Sequence, residues 1–127
     1  MYLYDELLKL LQASPVLKNL RVVDLKNYGT TAFRIKIQAN VSSTWTFQIW
    51  LNHNPEHTRY AYQLFETDKP LLRWDNAPHH PELVTNFPHH FHNAQEQILP
   101  STLQGQPMLD LRVVLAEIEQ FIKPFSL

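Results

Sequence analysis

Histidines concentrate in one segment of this 127-residue chain, and histidine is the side chain best suited to chemistry at neutral pH. Five of the seven histidines fall within fourteen residues, and they are His79, His80, His89, His90 and His92. An imidazole with an unperturbed pKa of about 6.5 can transfer a proton or bind a metal near pH 7. We therefore predict that these five histidines are the catalytic residues. Asp75 joins them because a carboxylate can orient an imidazole.

Three neighbours of Asp75 are suited to holding a phosphodiester. Arg73 could bind the phosphate charge, Asn76 could donate a hydrogen bond to it, and Trp74 could stack on a base. Two histidines on opposite sides of a phosphodiester can cleave RNA when one removes the 2′-hydroxyl proton and the other protonates the leaving oxygen. The leading prediction is therefore a metal-independent RNase that needs no cofactor.

The same cluster also fits two other functions. In an extended backbone, His90 and His92 would share a face, and Asp75 or a histidine of the 79–80 pair could complete a metal site with them. Imidazole and carboxylate groups bind zinc and other divalent transition metals, so a metal-dependent hydrolase or a metal-binding protein is the first alternative. The second alternative is a non-catalytic module whose histidine segment docks on a partner.

Composition excludes several other classes. The formal net charge of −1 argues against a protein that coats duplex nucleic acid. The chain has only two glycines, so it lacks a glycine-rich phosphate loop, and it has no cysteine for disulfides or thiolate chemistry. Acidic residues near the N-terminus do not fit a secretion signal, and no apolar run approaches the ~20 residues of a membrane span. We expect a cytoplasmic protein that makes no contact with a membrane.

Hydrophobic periodicity predicts an α+β domain over residues 1–127. Apolar residues at helical spacing predict a helix over 2–13 and a second helix over 111–122, which Asp110 caps and Pro124 ends. Period-two alternation with turn-rich joints predicts antiparallel strands in consecutive order. These strands cover residues 20–26, 33–39, 45–51, 58–65 and 71–75. The expected fold is a five- or six-stranded, mainly antiparallel meander with an N-terminal and a C-terminal helix packed on it.

Regular periodicity is lost from residue 76 to residue 107, where five prolines and the histidine cluster lie. A segment of this length without regular structure is more often functional or disordered in a compact domain, and its aromatic residues favour a packed loop. Residues 95–99 could form a short edge strand, and that strand could pair across a homodimer.

Two sequence motifs in this region are familiar. Segments 72–81 (LRWDNAPHHP) and 87–92 (FPHHFH) resemble the TumE-like family, the toxin half of a class of bacterial and archaeal toxin–antitoxin pairs. The resemblance implies a cytoplasmic growth inhibitor with a cognate antitoxin protein as partner, and it implies no particular reaction. Asp75, Asn76 and the five clustered histidines occupy shared motif positions. Phe91 departs from the family pattern, which often has lysine there.

Overall fold

The strands and helices follow the hydrophobic patterns of the sequence closely. The computed structural model describes residues 2–125, and within them the chain forms an α+β meander with a helix near each end. The α-helices are α1 (Leu3–Gln12) and α2 (Pro107–Ile122), and a 3-10 turn (Lys123–Phe125) follows α2. The strands are β1 (Lys18–Asn27), β2 (Phe33–Asn40), β3 (Trp45–His53), β4 (Thr58–Glu66), β5 (Lys69–Asp75), β6 (His90–His92) and β7 (Ile98–Pro100). The predicted fold class is confirmed, with seven strands in the described residues instead of five or six.

All seven strands form one sheet in which each strand pairs antiparallel with the next. Strands β2, β3 and β4 alternate between buried and half-buried residues, because one face of the sheet is covered and the other is not. The covered face packs against the apolar sides of α1 and α2, where Leu7, Leu11, Leu111, Val114 and Ile118 are buried.

The opposite face, here called the open face, points away from both helices and holds several of the predicted site residues. Strand register places one residue from each of five strands in a row across it, in the order Lys36, Trp50, Ala61, Asp75 and His90. A second row runs beside the first, in the order Gln38, Gln48, Gln63, Arg73 and His92. The fold therefore aligns Asp75 and Arg73 with two histidines across a strand pair.

Two boundaries in the C-terminal third differ from the sequence prediction. The segment predicted to lack regular structure contains β6, and the short edge strand lies at Ile98–Pro100 instead of 95–99. Helix α2 begins at Pro107 with Gln106 at its N-cap, so Asp110 is not the cap. The buried Asp110 carboxylate accepts the backbone N–H groups of Gln104 and Gly105, which fastens the preceding loop to the helix. Among the described residues, none of the helices has the length and hydrophobicity that a membrane crossing requires.

Candidate active site

Three histidines and one aspartate converge on the open face where β5 pairs with β6. Asp75 lies opposite His90 and Arg73 lies opposite His92, while His80 comes from the loop between the two strands. The ring centroids of His80 and His90 are 4.9 Å apart, those of His90 and His92 are 5.0 Å apart, and those of His80 and His92 are 5.9 Å apart. These three imidazoles are called the histidine cluster below.

Four groups of this site contact the Asp75 carboxylate. Its Oδ1 accepts the backbone N–H of Ala77 at 2.9 Å and faces His90 Nε2 at 3.0 Å. Its Oδ2 accepts Nε–H of Arg73 at 2.5 Å and lies 3.6 Å from His92 Nε2. The carboxylate is almost fully buried, so the arginine and the imidazoles replace the water that a charged group would otherwise require.

Exposure divides the cluster into one supporting ring and two reachable rings. The His90 side chain is 4% exposed, whereas those of His80 and His92 are 25% and 30% exposed. Burial lowers the pKa of His92, and the neighbouring His90, Arg73 and His80 lower it further against the opposing effect of Asp75. His92 is therefore mostly neutral at pH 7 and can accept a proton there.

The His90 ring is fixed from both sides. Its Nδ1 lies 3.0 Å from the carbonyl oxygen of Pro88, and its Nε2 faces Asp75. When Nδ1–H donates to this carbonyl, Nε2 of a neutral ring has a free lone pair and can bind a metal shared with Asp75. A hydrogen bond from Nε2 to Asp75 requires a proton on Nε2.

Two of the five predicted catalytic histidines lie outside the cluster. His79 is exposed on the loop. His89 points to the other side of the sheet, where its Nδ1 lies 2.7 Å from the hydroxyl of Tyr60 and the two rings stack. Burial raises the pKa of the Tyr60 phenol, so the phenol stays protonated and can donate to Nδ1. His89 also lines a separate cavity of about 520 Å³ that contains none of the histidine cluster.

Two of the three predicted substrate-binding residues have structural positions instead. Trp74 is on the covered face, is 2% exposed and donates Nε1–H to Glu117, so it cannot stack on a base. The Asn76 side chain accepts a hydrogen bond from the backbone N–H of Tyr60 and donates one to the carbonyl of Thr58. Its amide thus bonds β4 as the backbone of a neighbouring strand would. Both predictions placed these side chains at the surface. Trp74 is buried because it alternates onto the covered face of β5, and Asn76 is buried just after the end of that strand. Arg73 alone of these three remains beside the cluster, with its side chain 40% exposed.

A cavity of about 590 Å³ adjoins the cluster and was not predicted from the sequence. Strand β6 pairs only with Arg73–Asp75, so the first half of β5 extends past the end of β6 and leaves an opening between β5 and the β6–β7 turn. Arg73 and His92 line this cavity together with Gln63 and the apolar side chains of Leu71 and Ile98. Alternation places Gln63 on the open face, but the strand register that brings it beside Arg73 is not readable from one sequence.

Three comparisons with known proteins were informative to different degrees, and only the one with protein families found a match. Searches of the curated proteins and of the solved structures found no significant match. The family model described as Toxin TumE matches residues 7–122, which is most of the chain and includes both sequence motifs and the whole histidine cluster. The chain therefore belongs to the TumE toxin family.

Proposed function

We propose that this protein is the RNA-cleaving toxin of a cytoplasmic toxin–antitoxin pair and that it uses histidine acid–base chemistry without a metal. Membership of the toxin family implies an antitoxin partner. The observation that carries the RNase proposal is the pair of reachable imidazoles, His80 and His92, whose ring centroids lie 5.9 Å apart beside an exposed arginine. Homodimerisation through the edge strand stays a prediction.

The reaction assigns a separate task to each group. Neutral His92 removes the proton from a 2′-hydroxyl, and that oxygen attacks the adjacent phosphorus. The bond from phosphorus to the 5′ oxygen breaks, and protonated His80 supplies the proton that this oxygen takes up. The products are a 2′,3′-cyclic phosphate and a free 5′-hydroxyl, so atoms and charge balance without a co-reactant. Arg73 stabilises the phosphate charge through the guanidinium nitrogens that do not bind Asp75.

Asp75 and His90 act as positioning residues in this scheme. Asp75 is almost fully buried and holds Arg73 and His90 through short contacts. His90 separates the carboxylate from solvent and packs against both reachable rings. Their contribution is a fixed geometry, which an enzyme needs because misplacing reacting groups by about 1 Å can cost about a hundredfold in rate.

Cleavage of a defined single-stranded RNA in EDTA tests the proposal. His80→Ala and His92→Ala should each lower the rate by at least about a hundredfold, because each acid–base group typically contributes about 10²–10⁴-fold. His79→Ala is the matched control, since His79 is the exposed neighbour outside the cluster, and it should cleave at the wild-type rate. A substrate with 2′-deoxyribose at the cleaved position should not be cut, because it lacks the nucleophile.

A metal-dependent hydrolase is the second candidate, because the histidine cluster also has the composition of a metal site. One ring nitrogen from each of His80, His90 and His92 can be chosen so that all three lie within 4.8 Å of one another. Asp75 Oδ1 lies 3.0 Å from His90 Nε2, which is compatible with two ligands of one ion. His80 is therefore the histidine of the 79–80 pair that lies beside His90 and His92. Imidazole and carboxylate groups would suit zinc or another divalent transition metal.

Three outcomes separate the remaining functions. Activity that EDTA abolishes and zinc restores, with one metal bound per chain and cleavage of the 2′-deoxy substrate, would replace the proposal by the metal-dependent reaction. Activity in EDTA that ends in a 2′,3′-cyclic phosphate would support the metal-independent reaction. A protein that binds its antitoxin but turns over no RNA under either condition would be a non-catalytic binding module.

A further inference from the structure

We infer that the cavity between β5 and the β6–β7 turn binds the nucleobase next to the cleaved phosphate, and that Gln63 determines which base is accepted. This inference rests on the proposed RNase function and adds a specificity site to it. The cavity shares His92 with the histidine cluster, and Arg73, which lies beside the cluster, also lines it. A nucleotide whose phosphate lies at these two side chains has the cavity directly beside it.

The walls of this cavity have the chemistry that a base requires. Pro70, Leu71 and Ile98 supply apolar surface against which an aromatic ring can pack. The volume of about 590 Å³ lies in the range of about 300–1,000 Å³ that is usual for small-ligand sites. Single-stranded RNA is recognised by stacking of splayed-out bases together with hydrogen bonds to their edges, so a cleft that combines apolar surface with polar side chains fits this ligand.

Gln63 is the polar group best placed to read a base edge. It lies directly across the strand pair from Arg73, which in turn lies opposite His92. With strands ~4.8 Å apart, Gln63 is roughly 10 Å from His92, a separation comparable to the length of one nucleotide. Within residues 2–125 its side-chain amide makes no hydrogen bond, so both its donor and its acceptor groups are available.

The other amides of the cavity are less suited to this role. Asn93 uses its Oδ1 to accept the backbone N–H groups of Gln95 and Gln97, and its Nδ2 donates to the Gln97 side chain. These bonds shape the β6–β7 turn and keep it clear of β5. Gln95 lies on the exposed rim of the same turn. Specificity is therefore expected to depend on Gln63 more than on either of these residues.

Binding of 2′-O-methyl oligonucleotides tests the inference separately from cleavage, because these RNAs lack the nucleophilic hydroxyl. Short oligomers of A, C, G or U are titrated into the full-length protein, and binding is followed by fluorescence anisotropy. The wild-type protein should prefer one base by about tenfold, the usual size of one or two specific hydrogen bonds. Gln63→Leu should remove most of that preference, and Leu71→Trp, which fills the cavity, should weaken binding of the preferred oligomer by about tenfold.

Gln38→Leu is the matched control. Gln38 is a half-buried glutamine of the same row, but it lies on β2 and outside the cavity. This variant should bind all four oligomers as the wild-type protein does. Gln63→Glu provides a second substitution at the same position if the leucine variant does not fold.

Each result decides the inference independently of the reaction. Wild-type protein without base preference, or folded Gln63 and Leu71 variants that bind like Gln38→Leu, would overturn it. The expected binding pattern in a protein that cleaves no RNA would support the base site and overturn the RNase function. If the wild-type protein and Gln63→Leu both cleave RNA with the same sequence preference, the RNase function stands and Gln63 does not determine specificity.

Discussion

Asp75 illustrates how much one side chain contributes to this site. Every contact of its carboxylate is with a donor or a possible donor: the backbone N–H of Ala77, the guanidinium of Arg73 and the imidazoles of His90 and His92. A carboxylate can face all of these groups because both of its oxygens are acceptors and neither is a donor. An asparagine of the same shape would present a donor to one of them.

Asp75→Asn should therefore lower both stability and activity. In the asparagine variant the amide N–H group faces one of these donors, which then lacks an acceptor in a buried position. We therefore expect a loss of about 1–3 kcal/mol in the free energy of unfolding. Cleavage should fall by at least about tenfold in the folded variant, because the positions of the rings and of Arg73 depend on this carboxylate. Urea unfolding and the RNA assay measure the two effects.

Asp24→Asn is the control for Asp75→Asn, since Asp24 pairs with Arg34 at 3.3 Å on the exposed edge of the sheet. Exposed ion pairs contribute little, so this variant should lose less than about 1 kcal/mol and keep its activity. Equal losses in the two variants would contradict the role given to Asp75.

At the scale of residues, the sequence predicts which side chains belong to the candidate site better than it predicts how they are oriented. The density of histidines predicts a reactive segment, and alternation in the triplet His90–Phe91–His92 accounts for two rings on one face. The same alternation places His89 on the opposite side from His90, but it does not reveal that Tyr60 is the partner there. Which histidine faces the carboxylate depends on the register of β6, and no local pattern encodes that register.

The elements themselves were predictable where the alternation is long. Strands β2, β3 and β4 each have eight or nine residues, and their apolar positions specify both the strand and its buried face. Strand β6 has only three residues and follows Pro88, so its period-two signal is too short to stand out from a loop. The short strands β6 and β7 are held by their pairing with β5 and with each other, which is tertiary information.

The Asn86 side chain bonds the loop that carries His80 to the segment before α2. Asn86 donates through Nδ2 to the carbonyl oxygens of Ser101 at 2.6 Å and Leu103 at 2.7 Å. Its φ of 58° lies in the left-handed region, which glycine also adopts without strain. Asn86→Gly therefore removes the two hydrogen bonds and tolerates the same backbone conformation.

In Asn86→Gly we expect the loop to open more often while the sheet stays intact. Hydrogen–deuterium exchange should speed up over residues 77–89, where the backbone N–H groups of Leu83 and His89 bond within the loop. Exchange in β2 and β3 should not change, and cleavage should fall because His80 is less often in place. Asn27→Gly, which removes a side-chain bond from the β1–β2 turn at the other edge of the sheet, should leave exchange over 77–89 unaltered.

For the molecule as a whole, the two-layer arrangement follows from the sequence, since two amphipathic helices and a sheet with one apolar face have one common way to bury those surfaces. The open face follows from the same logic, because residues 2–125 contain no further amphipathic helix to cover it. The sequence does not show where three of the partly buried histidines lie or which groups they contact. His53 bonds Thr58, His89 bonds Tyr60 and His92 lies in the histidine cluster.

These three histidines make the stability of the whole protein depend on pH. Burial is the largest cause that lowers the pKa of His53, His89 and His92 below 6.5. The unfolded chain therefore binds more protons than the folded chain when the pH falls below about 6.5, and folding becomes less favourable as those protons bind. Their stabilising contribution is complete above the unfolded pKa of about 6.5 and is lost as the pH falls through the folded values.

Urea unfolding at pH values from about 7.5 down to about 5 should therefore show a free energy of unfolding that decreases steadily below pH 6.5. His89→Gln should reduce this decrease, because the glutamine carbonyl can still accept the Tyr60 hydrogen bond but does not titrate. His57→Gln changes an exposed histidine of the β3–β4 turn and should retain the wild-type pH dependence. Stability that rises on acidification, or a pH dependence in His89→Gln equal to that of the wild type, would show that His89 is not held in its neutral form by the fold.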